Sequence, residues 1–409
     1  MDLQVLKNYA RVLIEAGVNL QSGEIVCIHA PITAKPLVLE TVAEAYRKGA
    51  DRVYVTWHDE DVDKLHLTLG EGRKQLEPAG WEIEYRQYMV DRKVCYINML
   101  GGDPELLSDV DSELLAKVSR AGHKAYEFFY DAAGSNGIKW CLVGVPDRAW
   151  AQKVFPDLDA EAALAKLWQY VLHTMRLDVD DPVAAWAAHN EALKRRAKTL
   201  NDMHLSRIHY TNALGTDLWL GLPAGYIFEG GAETAVTGVI FNPNMPTEEI
   251  FSAPDKYRVD GKVVASMPLY HQGNKVEGFG FVFEKGCIVD YWARVGQDVL
   301  KGIIETDEGS CYLGEVALVP YDSPISNLQT LFLETLFDEN ASCHLAIGDA
   351  YPSCVAGGLD MSKDELEQHG VNVSHEHVDF MIGTADLQIT GETVDGKIVD
   401  IFRNGNFVF

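Results

Sequence analysis

The sequence is short of positive charge. Its 409 residues hold 35 Lys and Arg against 61 Asp and Glu, a formal balance of −26. Nucleic acid and anionic membrane surfaces call for a basic patch that releases counterions, so neither is expected as a partner. No apolar run approaches the roughly 20 residues needed to cross a bilayer. The opening stretch "MDLQVLKNYARVLIEAG" carries Asp2, Lys7, Arg11 and Glu15 at helical spacing, unlike a cleavable leader. The expectation is a soluble, cytoplasmic protein.

Motifs that would mark other chemistries are missing as well. The seven cysteines, Cys27, Cys95, Cys141, Cys287, Cys311, Cys343 and Cys354, form no C-x-x-C pair and lie mostly inside apolar runs. That predicts reduced, buried thiols, not a disulfide frame or a cysteine zinc knot. His375-Glu376 is not followed by histidine at 379, so the familiar single-zinc protease signature is absent. There is no G-x-S-x-G elbow and no phosphate-binding glycine loop with lysine. Serine hydrolase, kinase and dehydrogenase readings lose their support.

What is present suggests two domains, since the length exceeds one ordinary core and 47% hydrophobic content can fill two. Over residues 1–202, buried-strand patterns such as "EIVCIHA", "RVYVTW", "KVCYINML" and "KWCLVGVP" alternate with helical ones. This alternation predicts an open α/β sheet with parallel strands. From about 203 to 409 short strands follow one another through turn residues, including Asp395-Gly396 and Asn404-Gly405. A mostly antiparallel, β-rich second domain is expected there, with helices near 295–306 and 325–337. The fold class is thus α/β followed by α+β. Charge divides unevenly between the halves: residues 1–200 balance at −6, whereas 201–409 balance at −20.

Several of those carboxylates stand where apolar strands should continue. Glu315 interrupts "CYLGEVALVP", His344 interrupts "ASCHLAIG" and Asp379 interrupts "HVDFMIG". An unpaired buried carboxylate costs several kcal/mol, so each such residue either faces solvent or meets a cation. In an extended strand His375, His377 and Asp379 point the same way, so His377 and Asp379 can converge on one point while Val378 packs behind. Imidazole with carboxylate suits zinc, cobalt or manganese, and several carboxylates favour a pair of cations. The alternative is a structural His–Asp pair at a strand end. Glu248 and Glu249 follow Thr247 in "NPNMPTEEIFSAPD", where they could instead cap a helical turn. Asp338, Glu339, Asp349 and Tyr351 surround His344 in "FDENASCHLAIGDAY" and read equally as loop residues.

Taken in order, "PTEEIFSAPDKYRVDGKV", "GEVALVP", "SPIS", "TLFDENASCHLAIGDAY" and "HVDFMIGTADLQITG" resemble the aminopeptidase T and aminopeptidase S family of metalloaminopeptidases. The resemblance implies a homodimeric exopeptidase that removes N-terminal amino acids from peptides with a free N-terminus, with a C-terminal catalytic domain. It implies two divalent metal ions per chain: zinc, cobalt or manganese, with magnesium also admissible. It carries the metal ligands onto Glu249, Glu315, His344, His377 and Asp379, and further metal-site positions onto Glu339 and Tyr351. By the same analogy Glu315 bridges the cations, a hydroxide held between them attacks, Glu248 or Glu339 moves the proton, and Tyr351 ligates or donates to the oxyanion. Two rival readings share these ligands: a two-metal amidase acting on non-peptide amides, and a non-catalytic protein with a structural metal.

Overall fold

The computed structural model describes residues 2–70, 77–271 and 274–409. The chain divides into two compact units, one of Met1–His189 with Ala232–Pro246, the other of Asn190–Gly231 with Thr247–Phe409. The division passes through the helix Pro182–Asp202, at whose end the sequence reading places its boundary. Residues 232–246 belong to the first unit although they follow part of the second in sequence. Sequence order could not reveal this.

The first unit is built on parallel strands Ile25–Pro31, Arg52–His58, Cys95–Leu100 and Lys139–Gly144, joined by the short strand Asn244–Met245. The four longer strands fall on the four apolar runs quoted above. Helices lie between and after them, and in four of these Asp59, Asp111, Asp147 and Asp159 accept hydrogen bonds from first-turn backbone N–H groups, satisfying donors that have no intrahelical partner. Ile25, Cys27, Met89, Val94, Phe129 and Ile138 form a buried cluster between sheet and helices.

The second unit stacks two antiparallel sheets. The larger has eight strands, running from Cys287–Trp292 at one edge through Gly280–Glu284, Val259–Val264, Asp217–Gly221, Leu205–Thr211 and Gln388–Thr393 to Ile398–Arg403 and Asn406–Phe407. The smaller has four, in the order Ile250–Ser252, Leu313–Leu318, His344–Gly348 and His377–Met381. Val316, Leu345, Ile347, Val378 and Phe380 of the smaller sheet join Ile208, Leu218, Phe281 and Ile389 of the larger in one buried core. The rings of Phe281 and Phe380 meet 5.0 Å apart across it.

The helix expected near 295–306 forms as Gln297–Ile304, but the one expected over 325–337 does not. Only a turn at Ser326–Leu328 and a single helical turn at Thr335–Asp338 appear there. Gln329 and Leu333 take left-handed φ values of 47° and 61°. The Asp338 carboxylate accepts the N–H groups of Phe332 and Glu334, replacing helical partners with a side chain.

Candidate metal centre

The smaller sheet sorts its side chains by period. Register pairs Glu315 with Ala346 and Ala346 with Asp379, and it pairs Ala317 with His344 and Gly348 with His377. Directly paired residues share a face, so Glu315, His344, His377 and Asp379 all project to one side. Their neighbours Val316, Leu345, Ile347, Val378 and Phe380 project to the other, into the core. This answers why apolar strands carry these polar residues: alternation gives one face to packing and one to chemistry. Ala317, Ala346 and Gly348 are the small residues paired directly beside these donors. A bulge at Gly314 separates the paired positions Leu313 and Glu315. A side chain at 314 would collide with the Asp349 carbonyl oxygen, 2.0 Å from where its Cβ would sit.

Three strands and the turn before a fourth supply the donors. Glu249, just ahead of Ile250–Ser252, lies with one carboxylate oxygen 3.2 Å from His344 Nε2. Glu315 reaches both imidazoles, with Oε1 3.8 Å from His344 Nε2 and Oε2 3.1 Å from His377 Nε2. Asp379 Oδ1 lies 3.5 Å from His377 Nε2. Two donor groups result, Glu249–Glu315–His344 and Glu315–His377–Asp379, each with ligand atoms within 4.8 Å of one another. Glu315 belongs to both.

The surroundings prepare these atoms for cations. His344 Nδ1 lies 3.0 Å from the Ser342 carbonyl oxygen and His377 Nδ1 lies 2.8 Å from that of Asp349. An Nδ1–H donating in each place leaves Nε2 as the ligating nitrogen. Asp379 Oδ1 is buried and accepts no hydrogen bond, an arrangement that a cation would satisfy. Burial, and then the charges of Asp379 and Glu249, raise the Glu315 carboxyl above its ordinary range against the pull of His377. Glu339 is raised further, by burial and by the charges of Asp379, Glu249 and Glu315. Burial opposes charge on both imidazoles, yet the surrounding carboxylates outweigh it and hold His344 and His377 well above the usual histidine value. Protons thus compensate the carboxylates, and they would leave as divalent cations enter. The donor set fits a pair of such cations.

The remaining flagged residues fall around this centre in distinct ways. The half-buried Glu339 has its Oε1 3.3 Å from Asn340 Nδ2, and its charge couples to the three central carboxylates. Tyr351 places its ring 5.5 Å from that of His377 and 5.6 Å from that of Phe251. Glu248 is buried; its backbone N–H donates to Asn340 Oδ1, and its charge acts on Arg196. Two residues of the histidine-rich head turn elsewhere: the His375 N–H donates to Asp307 Oδ2, and Glu376 Oε1 accepts from the Thr306 hydroxyl. The strand itself begins at His377. Sequence reading passed over Phe251, which pairs with Ala317 and so shares the polar face; an isolated aromatic in a short strand carries no signal by itself.

The model of the thermophilic metalloprotease (M29) family matches residues 3–407. The chain belongs to this family. It is 43% identical over 406 residues to aminopeptidase AmpS of Bacillus subtilis (strain 168), covering 99% of both chains. It is 41% identical over 404 residues to aminopeptidase 2 of Geobacillus stearothermophilus, covering 99% of this chain and 98% of the relative. The solved structure of wild-type AmpT from Thermus thermophilus superposes with a TM-score of 0.93 at 35% identity, over 99% of each chain. Among the described residues no helix is long and apolar enough to cross a membrane.

Proposed function

We infer that this family member is a metal-dependent aminopeptidase that works with two divalent cations and removes N-terminal amino acids from peptides. The observation that carries the reading is Glu315, which is shared by the two donor groups. Glu249 and His344 would hold one cation and His377 and Asp379 the other, with Glu315 within reach of both. When bound, the cations supply Lewis acidity, polarising the scissile carbonyl and acidifying a coordinated water. Zinc, cobalt and manganese all suit this mixed nitrogen and oxygen donor set, and magnesium is the least suited because it prefers oxygen alone.

The chain's own groups move the proton and orient the substrate. Glu339 takes the proton of the attacking water and delivers it to the leaving amine, a role supported by its raised proton affinity beside Glu249, Glu315 and Asp379. Glu248 is the weaker candidate, because its charge is engaged with Arg196. Tyr351, edge-on to His377, donates its hydroxyl to the carbonyl oxygen as negative charge develops there.

The deciding experiment uses chelator-stripped protein titrated with zinc, cobalt, manganese or magnesium, assayed on aminoacyl-p-nitroanilides beside N-acetylated controls. Activity that returns with metal and vanishes when the amine is blocked is the expected result. Two bound cations with no turnover would point to a structural metal, and turnover on non-peptide amides alone would point to an amidase. A homodimer in the cytoplasm completes the proposal, and sedimentation velocity of the purified chain tests the first part.

A further inference from the structure

Five of the seven cysteines are buried, and the two that are partly exposed, Cys287 and Cys311, are in contact with each other. Their Sγ atoms lie 2.8 Å apart although 24 residues separate them in sequence. Cys287 opens the strand at the edge of the eight-stranded sheet, and Cys311 closes the turn Gly309–Cys311 that leads into the Glu315 strand. That turn is tied to the neighbouring strands of the smaller sheet. The Tyr312 carbonyl accepts the Gly348 N–H, and Asn372 Nδ2 donates to the carbonyls of both Gly309 and Gly348. Asp307, two residues ahead of the turn, accepts from the Ser374 hydroxyl and the His375 N–H.

We propose that Cys287 and Cys311 form a reversible thiol–disulfide modification site, closed by exchange with a low-molecular-weight disulfide. Proximity and selective exposure together carry this reading: a small oxidant reaches these two sulfurs, while Cys27, Cys95, Cys141, Cys343 and Cys354 are shielded. In the exchange the Cys287 thiolate attacks one sulfur of the small disulfide, forming a mixed disulfide and releasing one thiolate. Cys311 then attacks the Cys287 sulfur and expels the second small thiolate. Two protein thiols are oxidised to one disulfide, one small disulfide is reduced to two thiols, and the two protons pass to the leaving thiolates. Burial, and then the neighbouring Cys287 thiol, push the Cys311 thiol up to about 12, so Cys311 takes the second step, where its contact with the Cys287 sulfur offsets a small thiolate fraction.

The test incubates the full-length protein under native conditions with excess oxidised glutathione and follows intact mass, free-thiol count and non-reduced peptide maps. The expected outcome is loss of two hydrogens, loss of two titratable thiols, and one cross-linked peptide joining Cys287 to Cys311, all reversed by dithiothreitol. Cys287→Ser and Cys311→Ser should each abolish the cross-link. Closure of this loop should also move the melting midpoint of the wild-type chain upward by several degrees, because it removes freedom from the unfolded chain. Two separate glutathione adducts without a cross-link, or unreacted thiols at both positions, would overturn the proposal.

Discussion

At the residue scale, Glu315 is the position on which the centre depends. It is buried and shared by both donor groups, so Glu315→Gln keeps the shape but removes the charge that the proposed pair of cations would need. The expected result is loss of metal and a fall in turnover of more than about a hundredfold, beyond the range for residues that only orient ligands. Metal analysis beside kinetics on one p-nitroanilide checks this, and full occupancy with full turnover would refute the bridging assignment. Glu339→Gln separates a second question. As a proton carrier it should lower kcat by about 10²–10⁴-fold while both cations stay bound; loss of a cation would make Glu339 a ligand instead.

At the scale of the element, the smaller sheet presents a chemical face and a packing face. Ala346 and Ile347 are consecutive and nearly inaccessible, yet they face opposite ways. Ala346→Val adds bulk between Glu315 and Asp379, so metal affinity should drop while overpacking costs about 1–3 kcal/mol. Ile347→Ala leaves the donors alone and opens a cavity in the core, costing about 2–5 kcal/mol with metal affinity preserved. Calorimetric metal titration and urea denaturation of both variants measure the contrast. Equal effects on affinity would mean that the two faces are not independent. Alternation made this much legible beforehand, because Glu315, His344 and Asp379 each interrupt an apolar run. The convergence of Glu249 with them was not legible from spacing, since it comes from the turn before another strand. Resemblance to relatives pointed to it instead.

For the whole molecule, the metal-free state holds these carboxylates together by folding alone. Glu315 and Glu339 are then raised above their ordinary values, so the folded state binds more protons than the unfolded and stability falls as pH rises through the raised values. His344 and His377, also raised, act in the same direction: their contribution is present below the ordinary histidine value and is lost as pH rises through the folded one. The metal-free protein should therefore melt higher at pH 6 than at pH 8, and the difference in Tm between metal-loaded and metal-free protein should narrow at the lower pH. Scanning calorimetry with and without chelator gives that difference, and a constant gap would contradict it. In the first unit the sign is opposite. Burial, with the nearby charges of His58 and Arg86, lowers His29 from 6.5 to about 4. Its contribution to stability is complete above pH 6.5 and is lost as pH falls towards 4. His29→Gln should flatten that acid limb in pH-dependent denaturation; an unchanged limb would assign acid sensitivity elsewhere.

The sequence by itself determined the strand and helix content of the first unit, the antiparallel character of the second and the residue types of the candidate metal centre. These depend on local periodicity, turn chemistry and the cost of burying charge. The tertiary structure alone decided which strands became neighbours, and thereby that Glu315 and Asp379 flank Ala346. It also returned residues 232–246 to the first unit, replaced the expected helix over 325–337 with turns, and brought Cys287 against Cys311. Each of these depends on contacts between residues far apart in the chain, to which a local pattern is blind.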